Sequence, residues 1–283
     1  MDIRSDTSED VIFQNIFHPT DLTCNSEAAF VHALQIALRC RAELIVYHVM
    51  VDRDRFSSKD FPSVRGLLTQ WGVMPMGSQR EDVIKTGLRI KKIARPGDDP
   101  ARVITRHLKK TPADLVVLAT HGRQGLRHDT QDAVAEPVTR QAHTMTLFLP
   151  TGCRGFIKQH TGQINLRNIL IPVAKKSSAQ IAVNAAVHLA HLLDCEEVVF
   201  TLVHVGAPQS MPAVNPVEIP GWEWRSSEVR GNVVTCINAA IEHHRADLVV
   251  MTTGHHGILD TLRGSTTERV LRDAKCPMLT IPA

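Results

Sequence analysis

The sequence predicts an α/β protein made of two doubly wound domains in tandem, each a parallel sheet with helices on both faces. Two observations carry this reading. Four landmarks recur in the same order in the two halves, and between them short apolar, β-branched runs alternate with stretches of helical spacing. Strands that alternate with helices need crossover connections, which leave the strands parallel and the helices on the faces. With 283 residues, each half has enough chain to bury a core of its own.

The first landmark is the opening strand, where Ile16-Phe17-His18-Pro19 is answered by Asn168-Ile169-Leu170-Ile171-Pro172. Tyr47-His48-Val49 is answered by Val203-His204-Val205, and Asp114-Leu115-Val116-Val117-Leu118 by Asp247-Leu248-Val249-Val250-Met251. Each half then closes on an apolar run ending in proline, Thr146-Leu147-Phe148-Leu149-Pro150 and Met278-Leu279-Thr280-Ile281-Pro282. Ordered self-similarity of this kind marks a duplicated unit.

Between the landmarks, Leu44–Tyr47 and Val198–Val203 read as strands buried on both faces. Ala28, Val31, Leu34, Ile36, Ala37 and Leu38 line one helical face, and Ile181, Ala185, Val187, Leu189, Leu192 and Leu193 another. Asp99 is an N-cap type followed by Pro100, so a helix opens there with Val103, Ile104 and Leu108 inward. The first half is longer between His48 and Asp114 than the second is between His204 and Asp247, which leaves room for an extra helix around Val64 to Trp71. The second half carries instead a Pro-rich loop, Gly206-Ala207-Pro208 through Pro220-Gly221. Trp222 and Trp224 follow at strand spacing, either as core aromatics of a third strand or as anchors of a contact surface. The expected boundaries are a first domain over 1–151, a linker over 152–163 and a second domain over 164–283. Gly152, Gly155 and Gly162 and the lack of periodicity mark the linker.

Composition excludes several classes. A net charge of +3 with dispersed Lys and Arg lacks the basic stripe of a nucleic-acid binder. No apolar run reaches the length of a membrane helix, and the polar start, Met1 to Asp6, is unlike a secretory signal. Cys24, Cys40, Cys153, Cys195, Cys236 and Cys276 are widely spaced with no C-x-x-C pair, which suits reduced thiols in a cytoplasmic protein. His243-His244 and His255-His256 are adjacent pairs, yet helical neighbours diverge and no zinc spacing occurs, so no metal site is expected. No dinucleotide G-x-G-x-x-G, P-loop or hydrolytic triad can be assigned, and no catalytic residue is named.

Open parallel sheets bind ligands at the carboxyl ends of their strands, where strand order reverses. After the fourth strand of the second half come Gly254, Gly257, Gly264 and Ser265, the last two where a helix begins. Free N–H groups and the positive helix end there suit a phosphate. Ser265-Thr266-Thr267-Glu268 also has capping-box spacing, which accounts for Ser265 and Glu268 without a ligand. A capped helix start still offers N–H groups, so the two readings are compatible.

With Pro-x-Asp at the end of the first strand and a Gly-x-x-Gly, spacer, Gly-Ser series before the last helix, the chain resembles a tandem two-domain member of the universal stress protein family. The resemblance covers nearly the whole chain, twice. It implies a five-stranded parallel sheet of the adenine nucleotide alpha hydrolase-like type in each domain, and an intramolecular pseudo-dimer of the two domains, often through the last strands. Association of two chains into a homodimer, and unidentified protein partners, remain open to it. It also implies a non-catalytic stress-response factor binding ATP or another adenine nucleotide, with Mg2+; at most it is a weak ATPase, which needs a water-orienting base that the sequence does not single out. Carried over, the contacts fall in the second half on Pro172, Val173, Val205, Gly254, Gly257, Gly264, Ser265 and Thr266, and in the first on Pro19, Thr20, Asp21, Val49 and Gly122.

Neither set is complete. The first half keeps Pro19-Thr20-Asp21, Gly97 and Thr120-His121-Gly122-Arg123, but has Ala119 for the first motif glycine and Asp132-Ala133 for Gly-Ser. The Asp132 carboxylate would repel a phosphate, and Pro137 shows that the turn is rebuilt. The second half keeps its glycines, with a spacer from Gly257 to Gly264 shorter than the family's, but reads Pro172-Val173-Ala174 where the Asp belongs. The expectation is a nucleotide or phosphate in the second half. The alternative is an interaction scaffold in which both sites have decayed.

Overall fold

The computed structural model describes residues 13–51, 56–120, 144–153, 155–174, 179–253 and 265–282. They contain ten strands: β1 (Asn15–Pro19), β2 (Glu43–Met50), β3 (Arg89–Pro96), β4 (Leu115–Thr120), β5 (Met145–Pro150), β6 (Asn168–Val173), β7 (Val198–Val205), β8 (Trp222–Val229), β9 (Leu248–Thr253) and β10 (Met278–Pro282). The α-helices are α1 (Glu27–Cys40), α2 (Val64–Gln70), α3 (Arg80–Lys85), α4 (Pro100–Lys110), α5 (Ala179–Leu192), α6 (Val233–His243) and α7 (Thr266–Asp273).

All ten strands form one sheet, in the order β3-β2-β1-β4-β5-β10-β9-β6-β7-β8. The second five run as the first five reversed. Pairing is parallel within each half, and the halves meet through an antiparallel pair, with Leu147 opposite Leu279 between Phe148–Met278 and Thr146–Thr280. Two five-stranded α/β units therefore share one sheet, related by a pseudo-twofold at that seam.

The strands alternate sides as the pleat demands. Ile16 and Leu147 face one way and Phe17 and Phe148 the other. The first face carries a single core running through both halves, covered by α1, α2, α3 and α5. On the opposite face the core is divided: α4 closes one part with Ile104 and Leu108, and α6 and α7 close the other with Ile237, Ile241 and Val270.

Local chemistry sets the helix ends. Asp99 accepts from Arg102 N ahead of Pro100, Asn232 accepts from Thr235 N, and Ser63 accepts from Gly66 N, each supplying a first-turn N–H with a partner. Arg41 and Asp194, at matching positions after α1 and α5, both adopt left-handed backbone (φ 53 and 52) to stop the helix.

The repeated Asp-Leu-Val-Val landmark has a structural explanation. Asp114 Oδ2 accepts from Gln14 N and Asn15 N, both at 2.8 Å. Asp247 Oδ2 accepts from Arg167 N at 2.9 Å and Asn168 N at 2.8 Å. In each half, one carboxylate before the fourth strand ties down the start of the first.

The extra helix expected around Val64 to Trp71 is α2. The segment joining the halves is anchored at several of its described residues. Phe156 and Ile157 are buried, and Trp71 Nε1 donates to Gln159 O at 2.7 Å. Trp222 and Trp224 are half-buried aromatics of the edge strand β8 that pack against the core on Phe200, with ring centroids 5.1 and 4.4 Å away. The Pro-rich loop is held to α5 by Gln180, which accepts from Asn215 N at 2.7 Å, and the Trp222 and Trp224 indoles donate to Cys195 O and Val217 O. All six cysteines are free thiols, and burial pushes Cys40 and Cys276 up to about 12. No helix among the described residues is long and apolar enough to cross a membrane.

Candidate functional site

In each half the strand order reverses beside the first strand, and there the ladder opens. β1 pairs with β2 as far as Pro19–Tyr47, and β4 with β5 as far as Thr120–Pro150. β1 and β4 are paired only at Ile16–Leu115 and Phe17–Val116. In the second half, β6–β7 continues to Val173–His204 and β9–β10 to Thr253–Pro282, while β6–β9 is limited to Ile169–Leu248 and Leu170–Val249. The strands part toward their carboxyl ends, creating a crevice at each switch point.

The first crevice is bridged. His18, with no exposed surface, donates from Nδ1 to Val117 O on β4 at 2.8 Å, and its ring lies against Phe30. Desolvation pushes this imidazole down to about 4, so it is neutral. Next along the chain, the Thr20 and Ser26 hydroxyls are 2.8 Å apart. The Asp21 carboxylate accepts from Thr23 N at 3.0 Å and from Thr23 Oγ1 at 2.7 Å. That Asx turn engages the carboxylate expected to meet a nucleoside. Gly97 answers to packing: a Cβ there would lie 2.5 Å from Val103 Cγ2.

The second crevice has different walls. Ile171, buried, stands where His18 stands in the first half, so the matching side chain here is apolar and offers β9 no hydrogen bond. Val173 is 4% exposed and Ala174 occupies the Asp21 position. Ser265 caps α7 by accepting from Glu268 N at 3.1 Å, half of the expected capping box, and Glu268 pairs with Arg272 at 2.6 Å.

The two histidines of the second landmark do the same work in both halves. His48 Nδ1 donates to Thr20 O at 2.9 Å, and His204 Nδ1 to Val173 O at 3.1 Å. Each fixes the chain leaving the first strand. His48 is further covered by Phe56, stacked at 5.5 Å, and His204 Nε2 lies 2.8 Å from the Ser210 hydroxyl.

Of the expected site residues, the structure gathers Pro19, Thr20, Asp21 and Val49 at the ends of β1 and β2, and Pro172, Val173 and Val205 at the ends of β6 and β7. Ser265 and Thr266 open α7 between β9 and β10. Gly122, Gly254, Gly257 and Gly264, with Asp132, Ala133 and Pro137, lie outside the described residues. His18 and Ser26, the partner of Thr20, were not singled out as site residues, because neither belongs to a spacing motif. The available signal was His18 inside an otherwise apolar opening strand. His243 and His244 hold their rings at 84° to each other, and no cluster of three or more His, Cys, Asp or Glu able to hold a metal occurs among the described residues.

Two parallel α/β units with switch-point crevices, joined through their last strands, define a class of doubly wound proteins. Within it the sequence matches the universal stress protein family over residues 13–150 and 217–282. The chain belongs to that family. A universal stress protein of Methanocaldococcus jannaschii is 29% identical over 140 residues, spanning 48% of this chain and 81% of the relative. Among solved structures, a universal stress protein from Archaeoglobus fulgidus superposes with a TM-score of 0.62 at 16% identity, covering 96% of this chain and 98% of its own. A functionally unknown protein from Pseudomonas aeruginosa gives 0.60 at 13% identity, covering 96% and 93%.

Proposed function

We propose that this chain is a non-catalytic stress-response protein of the cytoplasm whose second half binds ATP, another adenine nucleotide or phosphate, with Mg2+ as counter-ion. It acts through ligand-dependent interaction. The observation that carries this reading is the contrast between the crevices. The first is crossed by the His18–Val117 bond and its Asp21 carboxylate is turned into its own loop. The second parts β6 from β9 with Ile171 in place of the bridge and a serine-capped helix following β9. Uncommitted N–H groups of a first helical turn attract an anion. The boundaries 1–151, 152–163 and 164–283 fit this division of labour between a structural and a binding half.

Calorimetric titration with ATP, AMP and phosphate plus magnesium, beside Gly264→Asp, tests the reading. Heat that the variant loses supports an anion site in the second half. A second reading has its own support: Ala174 supplies no carboxylate and Asp21 is already engaged. Absence of heat with every nucleotide would leave the chain an interaction scaffold with both sites decayed.

A further inference from the structure

Positive charge is concentrated on two neighbouring elements of the first half. Arg89, Lys91, Lys92 and Arg95 lie on β3, and Arg102, Arg106, Lys109 and Lys110 on α4, with no acidic residue inside either element. The matching elements of the second half, β8 and α6, hold Arg225 against Glu223, Glu228 and Glu242. Read along the chain, Lys and Arg look dispersed enough to argue against a nucleic-acid partner. The fold, however, gathers a quarter of the 32 into one place.

α4 leads from the carboxyl end of β3 toward the amino end of β4, so it runs back along the strand that precedes it. Ile104 and Leu108 close the core beneath it, and Ile93 of β3 and Val103 of α4 pack into that same core. The pleat then sets Arg89, Lys91 and Arg95 on the α4 side, together with Ile93. Lys92 turns to the other face, where its Nζ donates to Pro62 O at 2.9 Å. Arg102, Arg106, Lys109 and Lys110 recur at helical spacing on the solvent side of α4. Burial first, and the Arg95 charge second, hold His107 of α4 below its ordinary value, which places Arg95 beside the helix. Two rows of cations stand side by side at the margin of the sheet.

These groups are open to solvent and mostly unpaired. Arg89, Arg95, Arg102, Arg106, Lys109 and Lys110 are exposed, and none forms an ion pair among the described residues. Lys91 has Glu43 at 2.8 Å. Like charges four apart on a helix, as in Arg102 with Arg106 and Arg106 with Lys110, repel each other. Their concentration on one copy of a duplicated unit calls for a counter-charge from outside the chain.

The make-up of the rows selects that counter-charge. Four of the six unpaired cations are arginine, whose planar fork meets a phosphate with two hydrogen bonds. None of the exposed large hydrophobic residues lies on β3 or α4, so the surface has nothing to insert into lipid. Neither element has a Phe, Tyr or Trp on which a base could stack. The β3 row spans about 20 Å, a length that faces several phosphates of a duplex. We propose that β3 and α4 of the first half bind a nucleic-acid duplex through its phosphate backbone, without reading its sequence. This surface is independent of nucleotide binding in the second half.

Fluorescence anisotropy of the full chain with a labelled RNA duplex, and with a DNA duplex of the same sequence, is the test. Binding of either duplex supports the proposal, and comparison of the two shows which backbone is preferred. About six neutralised phosphates give log K against log salt a slope of about −5. Arg102→Gln with Arg106→Gln, and Arg89→Gln with Arg95→Gln, each make the slope shallower by about 2. Both pairs are exposed, so the melting temperature holds or rises. Lys85→Gln with Lys275→Gln removes the same charge elsewhere and keeps the wild-type slope. Gly264→Asp binds the duplex as wild type does, so this experiment and the nucleotide titration fail separately. Absence of binding to both duplexes at low salt overturns the proposal. So does an equal loss in the Lys85 and Lys275 control, or equal affinity for polyglutamate or for phosphatidylserine vesicles.

Discussion

His32 Nε2 accepts the backbone N–H of Phe156 at 3.0 Å, with the two rings edge-on at 4.5 Å. The same nitrogen accepts from Ile157 N at 3.2 Å, while Nδ1 donates to Ala28 O at 2.7 Å. One neutral imidazole on α1 thus pins the chain as it leaves the first half.

This fixes a pH dependence. Desolvation lowers both His32 and His18 from 6.5 to about 4. The unfolded chain therefore binds protons at a higher pH than the native one. The stability from each neutral histidine is complete above pH 6.5, drains as pH falls toward 4, and levels off below. Each contributes on the order of 3 kcal/mol across that window. Urea unfolding at neutral and mildly acidic pH measures it. His32→Phe leaves two N–H groups without an acceptor, costs about 2 kcal/mol at neutral pH, and makes the remaining pH slope shallower. A variant with the wild-type slope would contradict this assignment.

Asp114→Ala and Asp247→Ala should behave as a matched pair. Each releases two backbone N–H groups at the start of a central strand, at a cost of about 1–3 kcal/mol. Because the sites lie in different halves, the double variant should lose the sum. Chemical denaturation of the three variants is the measurement. A negligible loss in either single variant would mean that water replaces the carboxylate.

Glycine substitutions separate backbone strain from contact. Gly72 and Gly155 both have left-handed backbone, φ 72 and 65. A Cβ on Gly72 meets nothing within 4 Å, whereas on Gly155 it would lie 2.2 Å from His32 Cε1. Gly72→Ala should cost about 1–2 kcal/mol from conformation alone. Gly155→Ala should cost clearly more, and its thermal midpoint should fall well below that of Gly72→Ala.

Ser265→Ala removes the N-cap of α7 and should lower stability by about 1 kcal/mol. Ser265→Asp preserves the cap and adds negative charge at the helix start. If an anion docks there, the aspartate variant keeps its melting temperature and loses the nucleotide heat. Unchanged heat in Ser265→Asp would remove Ser265 from the site.

The repeat was legible because it rests on short patterns that local chemistry imposes twice. Asp114 and Asp247 recur since each strand start needs the same carboxylate, and His48 and His204 recur since each first strand needs its exit held. The extra helix showed as room between landmarks, and α4 showed in its Asp-Pro start. The anchoring of the joining segment was not legible. Gly155 and Gly162 read as flexibility, yet they bring the backbone against His32 and Trp71, where a Cβ would stand 2.2 and 2.6 Å from those rings. α3 was missed because it is short, and β3 because it is a charged edge strand with only weak alternation. At the site, motif positions identified the strand ends correctly but not the commitment of Asp21 to Thr23, since an Asx turn leaves no long-range mark on the sequence.

The antiparallel contact between β5 and β10 also sets an order of events during synthesis. β10 is the last of the ten strands to be made, so the first half leaves the ribosome with β5 as a bare edge. Unpaired strand edges invite other chains. Until β10 arrives, each nascent molecule presents neighbouring nascent chains with the surface that its own final strand will cover. The closing of that edge therefore waits on the most C-terminal of the ten strands.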